Sequence, residues 1–127
     1  MRRVLVVDDD REVGAAVRAA LAPEGFTVDA PDTPQEALVE LLRARPDLVI
    51  LDINMPGMSG WEFCSILRRQ TTTRTLPVLF LTGRKEIRDR ITAMQFGGSA
   101  YMDKPFATGE LREKVRALIE PAQEREQ

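Results

Sequence analysis

Short apolar runs recur along the chain, and four of them lead into a residue able to bind a cation or a phosphate. These runs cover residues 4–7, 48–51, 78–81 and 100–102, and they are followed by Asp8, Asp52, Thr82 and, after Asp103, Lys104. Strands of a parallel sheet are buried on both faces and therefore lose the polar alternation of half-exposed strands. The pattern predicts four such strands, and a shorter, more polar strand is predicted over 26–30.

Helical periodicity occupies the segments between these strands and predicts five helices. Thr33 before Pro34, with Glu36 three positions after the threonine, predicts a capped start of the second helix, and Ser59 with Glu62 repeats the spacing. The expected apolar positions are Val13, Val17 and Leu21 in the first helix, Leu38, Leu41 and Leu42 in the second, Phe63, Ile66 and Leu67 in the third, Ile87, Ile91 and Met94 in the fourth, and Leu111, Val115, Leu118 and Ile119 in the fifth.

The composition of the strands predicts their order in the sheet. Strands one, three and four are wholly apolar, whereas strands two and five are short and mixed, as expected of edge strands. We therefore predict an α/β fold with a doubly wound, five-stranded parallel sheet of order 2-1-3-4-5 and helices on both faces. Residues 1–119 are expected to form one domain, and 120–127 a solvated tail or the start of a linker.

Composition narrows the function classes. The 127 residues carry 18 Lys and Arg against 20 Asp and Glu, a net charge of −2 that gives no general attraction to nucleic acid or to an anionic membrane. The absence of histidine excludes His-based zinc sites and Ser-His or Cys-His catalysis. The single cysteine, Cys64, is expected to be a packed thiol. A lone cysteine suits a reducing compartment, and no apolar stretch is long enough to span a bilayer, so the protein is expected to be cytoplasmic.

The carboxyl ends of parallel strands lie along one edge of a sheet, where ligands bind. Asp8, Asp9 and Asp52 are therefore expected in one crevice with Thr82 and Lys104. Carboxylates brought together repel one another unless a cation or proton intervenes, and Mg²⁺ prefers such oxygen ligands. Taken singly, each residue has an ordinary structural interpretation: an acidic run before a helix serves as an N-cap, which is how we interpret Asp10.

Four segments together resemble the receiver domain of two-component response regulators. They are VLVVDDD, LVILDINMPGMSGWE, VLFLTG and AYMDKPF, and the resemblance extends from Arg3 to about Ile119. It implies a chemotaxis-regulator-like, flavodoxin-like fold. It also implies a cytoplasmic phosphoprotein that accepts a phosphoryl group from a sensor histidine kinase or a phosphotransfer protein. Such a domain is a switch that loses its phosphoryl group slowly, and it is not an enzyme acting on an external substrate.

The resemblance also implies residue roles. Asp52 is the phosphoacceptor, Lys104 and Thr82 contact the phosphoryl oxygens, and Tyr101 is a switch residue that follows Thr82. The metal is Mg²⁺, for which Mn²⁺ is expected to substitute, and its ligands are Asp8, Asp9, Asp52 and the backbone carbonyl of Asn54. The Lys104–Pro105 bond is expected to be cis, with Pro105 beside the phosphate. Gly83, where alanine is usual, and Arg84 are expected near the phosphate, and Arg84 is hypothesised to prolong the life of the acyl phosphate.

The output and partners stay open. A downstream protein is expected to bind helix four, strand five and helix five, or an output domain is missing from this chain. Dimerisation on phosphorylation is another alternative, and direct contact with nucleic acid or membrane is not expected. A receiver-fold interaction module that works without phosphorylation is the alternative function. An aspartyl-phosphate phosphatase is disfavoured because Asn54 stands where its second Asp is expected, and a nucleotide- or flavin-binding domain because no Gly-rich loop follows strand one.

Overall fold

A computed structural model describes residues 2–83 and 87–120, and its centre is a five-stranded parallel sheet. The strands are β1 (Arg2–Val7), β2 (Phe26–Asp29), β3 (Leu48–Leu51), β4 (Val78–Thr82) and β5 (Ala100–Asp103). Their order is β2-β1-β3-β4-β5, as predicted. In register, Val4 of β1 pairs with Val28 on one side and Leu48 on the other. The three inner strands, β1, β3 and β4, are thus those that contain the buried apolar runs 4–7, 48–51 and 78–81.

The α-helices within the described residues are α1 (Arg11–Leu21), α2 (Pro34–Arg43), α3 (Gly60–Arg69), α4 (Ile87–Gln95) and α5 (Thr108–Ile119). A 3-10 helix, Ala22–Glu24, extends α1 and ends at Gly25, whose φ of 90° favours glycine. In the part of the chain described, none of the helices has the length and apolar character needed to cross a membrane.

Side-chain oxygens cap the helices where the sequence predicts it. Asp10, Thr33 and Ser59 each accept a hydrogen bond from a backbone N–H in the first turn of the helix that follows. The Glu36 carboxylate accepts from the N–H of Asp32, one residue before the cap, and so also closes the start of α2.

Two apolar cores lie on the two faces of the sheet. One core packs α1 and α5 against the sheet and contains Val17 and Leu111, and the other packs α2, α3 and α4 and contains Ala37, Phe63 and Ala93. Helices therefore cover both faces, as expected from right-handed crossovers. Cys64 lies fully buried in the second core, and burial raises the pKa of its thiol, which confirms a packed cysteine.

Three predicted core positions are wrong. Leu42 of α2 is 86% exposed because the inward face of this helix is formed by Ala37 and Leu41. In α4, Ile91 and Met94 are largely exposed. The buried positions of α4 are instead Asp89 and Ala93, so the face toward the sheet lies two residues away from the predicted one. The side chain of Ile87 falls outside the described residues.

The first prediction concerns the two adjacent leucines of α2. Leu41→Ala should lower the free energy of unfolding by about 2–4 kcal/mol, because the leucine is buried and its removal leaves a cavity. Leu42→Ala should change it by less than about 0.5 kcal/mol, because that side chain already faces solvent. Urea denaturation of both variants measures the difference. Equal losses would show that the orientation of α2 is wrong.

Candidate functional site

Three aspartates meet at the carboxyl edge of the sheet. β1 leads into Asp8 and Asp9, and β3 leads into Asp52, with Val7 and Leu51 paired directly before them. One carboxylate oxygen from each aspartate lies within 4.8 Å of the other two. The sheet order alone brings these groups together, because β1 and β3 are neighbours although they are distant in sequence.

Lys104 enters this cluster from the end of β5. Its ammonium donates a hydrogen bond of 2.7 Å to Oδ2 of Asp8 and lies 3.6 Å from Oδ2 of Asp52. The backbone N–H of Lys104 donates to the carbonyl of Thr82, which ties the start of the next loop to the end of β4. The Lys104–Pro105 peptide bond is cis, as expected. Pro105 thus lies immediately beside the cluster.

Burial dominates the electrostatics of Asp8. It raises the pKa of this carboxyl above its ordinary value, and the nearby charge of Asp52 acts in the same direction. The hydrogen bonds from Lys104 and from the N–H of Asp10 oppose the rise without cancelling it. The ionised form of Asp8 is therefore disfavoured by the folded protein.

The pKa of Lys104 is also raised, but for an ammonium a raised pKa favours the charged form. Burial alone would lower the pKa of its ammonium, but the hydrogen bond to Asp8 and the charge of Asp52 outweigh burial and hold it above the ordinary value. The ammonium is thus fixed in its charged form. One positive charge faces three carboxylates, which leaves the cluster with an excess of negative charge.

The backbone around Asp52 fixes its carboxylate. Asp52 is 8% exposed, and its Oδ1 accepts a 2.9 Å hydrogen bond from the N–H of Ile53. The N–H of Gly60, at the start of α3, donates to the carbonyl of Ile53. A Cβ at position 60 would lie 2.0 Å from the carbonyl oxygen of Asp52, so only glycine permits this approach.

The other predicted site residues take less central positions. Thr82 ends β4 and is 1% exposed, and Gly83 follows it with open space around its Cα. Asn54 is exposed in the loop after Asp52. Arg84 lies outside the described residues, so the hypothesis about it stays a prediction.

Tyr101 has a cationic neighbour that the sequence did not reveal. The guanidinium of Arg90, on α4, lies 4.9 Å from the centre of the Tyr101 ring. Nη2 of Arg90 is also 3.7 Å from the carboxylate of Asp103, two residues further along β5. Arg90 therefore links α4 to the strand that carries Tyr101. Residues of α4 and β5 pair in this way only in the folded state, and no local sequence signal marks the contact.

The donor set of this edge suits a hard divalent cation. Its side-chain ligands are carboxylate oxygens, and Mg²⁺ is usually held by one or two carboxylates with waters and substrate phosphate. The excess negative charge also favours a cation over an anion. The cluster therefore fits a magnesium site.

Known proteins are similar to this chain in sequence. The family model for the response regulator receiver domain matches residues 4–116. Response regulator MprA of Mycobacterium leprae is 40% identical over 117 residues, which are 92% of this chain and 50% of that protein. MprA of Mycolicibacterium vanbaalenii is 41% identical with the same coverage. The chain therefore spans about half the length of these relatives.

Solved structures agree with these matches. Chemotaxis protein CheY4 of Vibrio cholerae superposes with a TM-score of 0.87 at 30% identity, covering 93% of this chain and 98% of that one. A response regulator from Chloroflexus aurantiacus, whose assignment as a regulator is itself provisional, gives a TM-score of 0.89 at 32% identity over 93% and 97% of the two chains.

The second prediction tests the close approach at Gly60. Gly60→Ala should destabilise the protein by roughly 1–3 kcal/mol, because the new methyl group overlaps the carbonyl of Asp52. Gly109→Ala is the matched control: it lies in the first turn of α5 with nothing within 4 Å, and better helix propensity should leave stability equal or higher. Thermal unfolding distinguishes the two, and an unchanged Gly60→Ala would contradict the described packing.

The third prediction follows from the raised pKa of Asp8. A pKa above the ordinary 3.8 means that the folded protein binds more protons here than the unfolded chain, so ionisation of Asp8 costs stability as pH rises through that range. Without divalent cations, Asp8→Asn should therefore be more stable than the wild type at pH 7. The gain should shrink as the pH falls through the raised pKa of Asp8 and should be lost below about pH 3.8. The control Asp10→Asn should be nearly neutral because asparagine caps a helix equally well. Urea denaturation in EDTA at several pH values measures this. A less stable Asp8→Asn at pH 7 would contradict the prediction.

Proposed function

Because the chain belongs to the response regulator receiver domain family, we propose that Asp52 accepts a phosphoryl group and thereby acts as a switch. The observation that carries the proposal is the placement of the Asp52 carboxylate beside Lys104, Asp8 and Asp9 in one crevice. A carboxylate so placed serves as a nucleophile when positive charge neutralises the incoming phosphoryl oxygens.

The transfer balances as a simple displacement. A carboxylate oxygen of Asp52 forms a bond to phosphorus, and the P–N bond to the imidazole of a phosphohistidine on the donor protein breaks. The imidazole leaves with the electron pair and takes a proton from solvent. Ile53 holds Oδ1 of Asp52 by its N–H, while Oδ2 is the oxygen nearest the Lys104 ammonium. We therefore assign Lys104 to the phosphoryl oxygens, where its charge is needed.

A divalent cation is part of the proposal. Asp8, Asp9 and Asp52 would hold Mg²⁺ with the backbone carbonyl of Asn54, and Mn²⁺ would substitute. The ion supplies positive charge to the phosphoryl group. It also removes the unfavourable excess of negative charge that burial makes costly at Asp8.

The switch would run from Thr82 to β5. Thr82 is buried at the end of β4, pairs with Asp103 in the sheet register and is bonded through its carbonyl to Lys104. A phosphoryl group that draws the Thr82 hydroxyl would change the packing against Tyr101, which packs at the edge of the second core. The contact of Arg90 with the Tyr101 ring would transmit this change to α4.

Two surfaces suit the partners that such a switch needs. A groove between α1 and the start of α5, lined by Val13, Ala16 and Phe106, opens directly beside Lys104 and suits a helix of a histidine kinase or phosphotransfer protein. On the other side, Ile91 and Met94 of α4 are exposed next to β5 and suit a downstream partner. Because the MprA relatives are about twice as long, an output domain joined to this one is the alternative receiver of the signal.

The fourth prediction tests the phosphoryl acceptor. Incubation with acetyl phosphate and Mg²⁺ should add one phosphoryl group to the wild type, as measured by intact-mass spectrometry. Asp52→Asn or EDTA should abolish the addition, because the first removes the nucleophile and the second removes the cation. Asp10→Asn is the matched control: this neighbouring carboxylate caps α1 and should be dispensable.

The contrary outcome is equally specific. A folded wild type that takes no phosphoryl group, and that also fails to bind beryllofluoride with Mg²⁺, would contradict the proposal. It would favour an interaction module that signals without phosphorylation.

A further inference from the structure

An apolar groove of about 220 Å³ separates α2 and α3 at their carboxyl-terminal ends. Its walls are Leu38, Leu41 and Leu42 from α2 and Ile66 and Leu67 from α3, and Gln70, Thr72 and Thr73 close one end. Both helices end here before the chain enters β3 and β4, so the groove lies at the edge of the sheet opposite Asp52. It belongs neither to the aspartate cluster nor to the α4–β5–α5 surface.

Leu42 makes this groove unusual. At 86% it is more exposed than Val39, Ile91, Met94 and Phe96, the other large apolar side chains that face solvent in the described residues. Its neighbours Leu38 and Ile66 are only partly covered, so the wall continues from the core to the surface. Apolar grooves between helices accept the side chains of an amphipathic helix at i and i+4 positions. The volume suits one or two such side chains.

Three arginines lie next to residues that line the groove, one by a hydrogen bond and two by their position in the chain. Arg45 reaches it by a 2.8 Å hydrogen bond from Nε to the carbonyl of Thr72. Arg69 lies three residues after Ile66 on α3 and so neighbours it on the helix surface. Arg74 follows the threonines that close the groove and is exposed. Among the described residues, no carboxylate lies within 4.0 Å of these three guanidinium groups. The rim is therefore cationic on a chain whose net charge is −2.

We propose that this groove binds an acidic amphipathic helix of a partner protein. The helix would insert apolar side chains between Leu42 and Ile66 and place its carboxylates against Arg45, Arg69 and Arg74. Charge complementarity carries the choice of occupant. A symmetric pair of copies would bring the same arginines face to face, because a twofold contact joins identical patches. An anionic membrane would meet a concave surface into which only separate side chains fit.

The position of the groove gives this docking a distinct role. Since it lies at the far edge of the sheet, it does not need a phosphoryl group on Asp52. The partner would be recruited in both states of the switch, so that phosphorylation changes the activity of an already bound partner. Binding at the groove is therefore independent of the proposed chemistry at Asp52.

The test uses the unphosphorylated, ¹⁵N-labelled protein. The probe is a capped helical peptide with Leu and Phe at i and i+4 and glutamates on both flanks, titrated in ¹H–¹⁵N correlation spectra. Amides of residues 38–45 and 65–73 should shift. Leu42→Ser should weaken binding by about tenfold, and Arg69→Gln should weaken it and reduce its salt dependence.

Two controls match these variants. Val39→Ser changes an exposed residue one turn earlier on α2, outside the groove, and should bind as the wild type does. Arg11→Gln removes an exposed cation on α1 and should likewise have no effect. Because Leu42 faces solvent, the Leu42→Ser variant is expected to stay folded, so weaker binding by this variant reports on the groove.

Four results would overturn the proposal. The first is that millimolar acidic peptide shifts no amides, and the second is that a peptide with lysines in place of the glutamates binds equally well. The third is that the protein binds phosphatidylglycerol vesicles, and not the peptide, in a way that depends on Leu42. The fourth is that the protein dimerises in sedimentation velocity in a way that depends on Leu42. The third would assign the groove to a membrane surface, and the fourth to a second copy.

Discussion

The 2.7 Å contact between the Lys104 ammonium and the Asp8 carboxylate offsets part of the negative charge that the fold brings together at one edge of the sheet. Three carboxylates converge at one edge of the sheet, and the folded protein must accommodate their repulsion and partial burial. Lys104 offsets part of this and stays charged because of it. A cluster with surplus negative charge is ready for a divalent cation, and a cation-filled cluster is ready for the negative oxygens of a phosphoryl group. The chemistry of the edge thus begins with an electrostatic imbalance.

Sheet topology creates that imbalance and also limits it. Asp8 and Asp52 are neighbours only because β1 pairs with β3, and Lys104 follows the edge strand β5, two positions from β3 and three from β1. Gly60 lets the start of α3 press against the carbonyl of Asp52, and Ile53 fixes one oxygen of its side chain. Rigid support of this kind keeps the Asp52 carboxylate positioned. This would matter for the proposed phosphoryl transfer, which depends chiefly on positioning and charge neutralisation.

Much of the fold and of the aspartate cluster could be predicted, because both depend on apolar runs followed by polar residues, a pattern that is visible in the sequence. Apolar strands ending in Asp8, Asp52 and Lys104 define both the sheet order and the residues at its edge. The cis bond at Pro105 came from resemblance to a family, since no local pattern requires it. Leu42 was misplaced because an apolar residue beside Leu41 looks equally inward until the packing of Ala37 is known. The Arg90–Tyr101 contact was missed for a similar reason, since it depends on how α4 lies against β5.

The groove between α2 and α3 lies at the edge of the sheet opposite the aspartate cluster and differs from it in chemical character. One edge of the sheet carries acidic groups that suit a metal ion, and the opposite edge carries an apolar groove to which Arg45 is hydrogen-bonded. A protein of nearly neutral charge can therefore present two surfaces of opposite sign. On these proposals, the phosphoryl group and the acidic partner would bind at separate places on one small domain.

A crystal structure of the protein with Mg²⁺ and beryllofluoride tests the central claim most directly. The account predicts a fluoride adduct on Asp52, a cation held by Asp8 and Asp9, and a Lys104 ammonium that has left Asp8 for the fluoride. A structure in which Lys104 still bonds Asp8, with no adduct on Asp52, would contradict it.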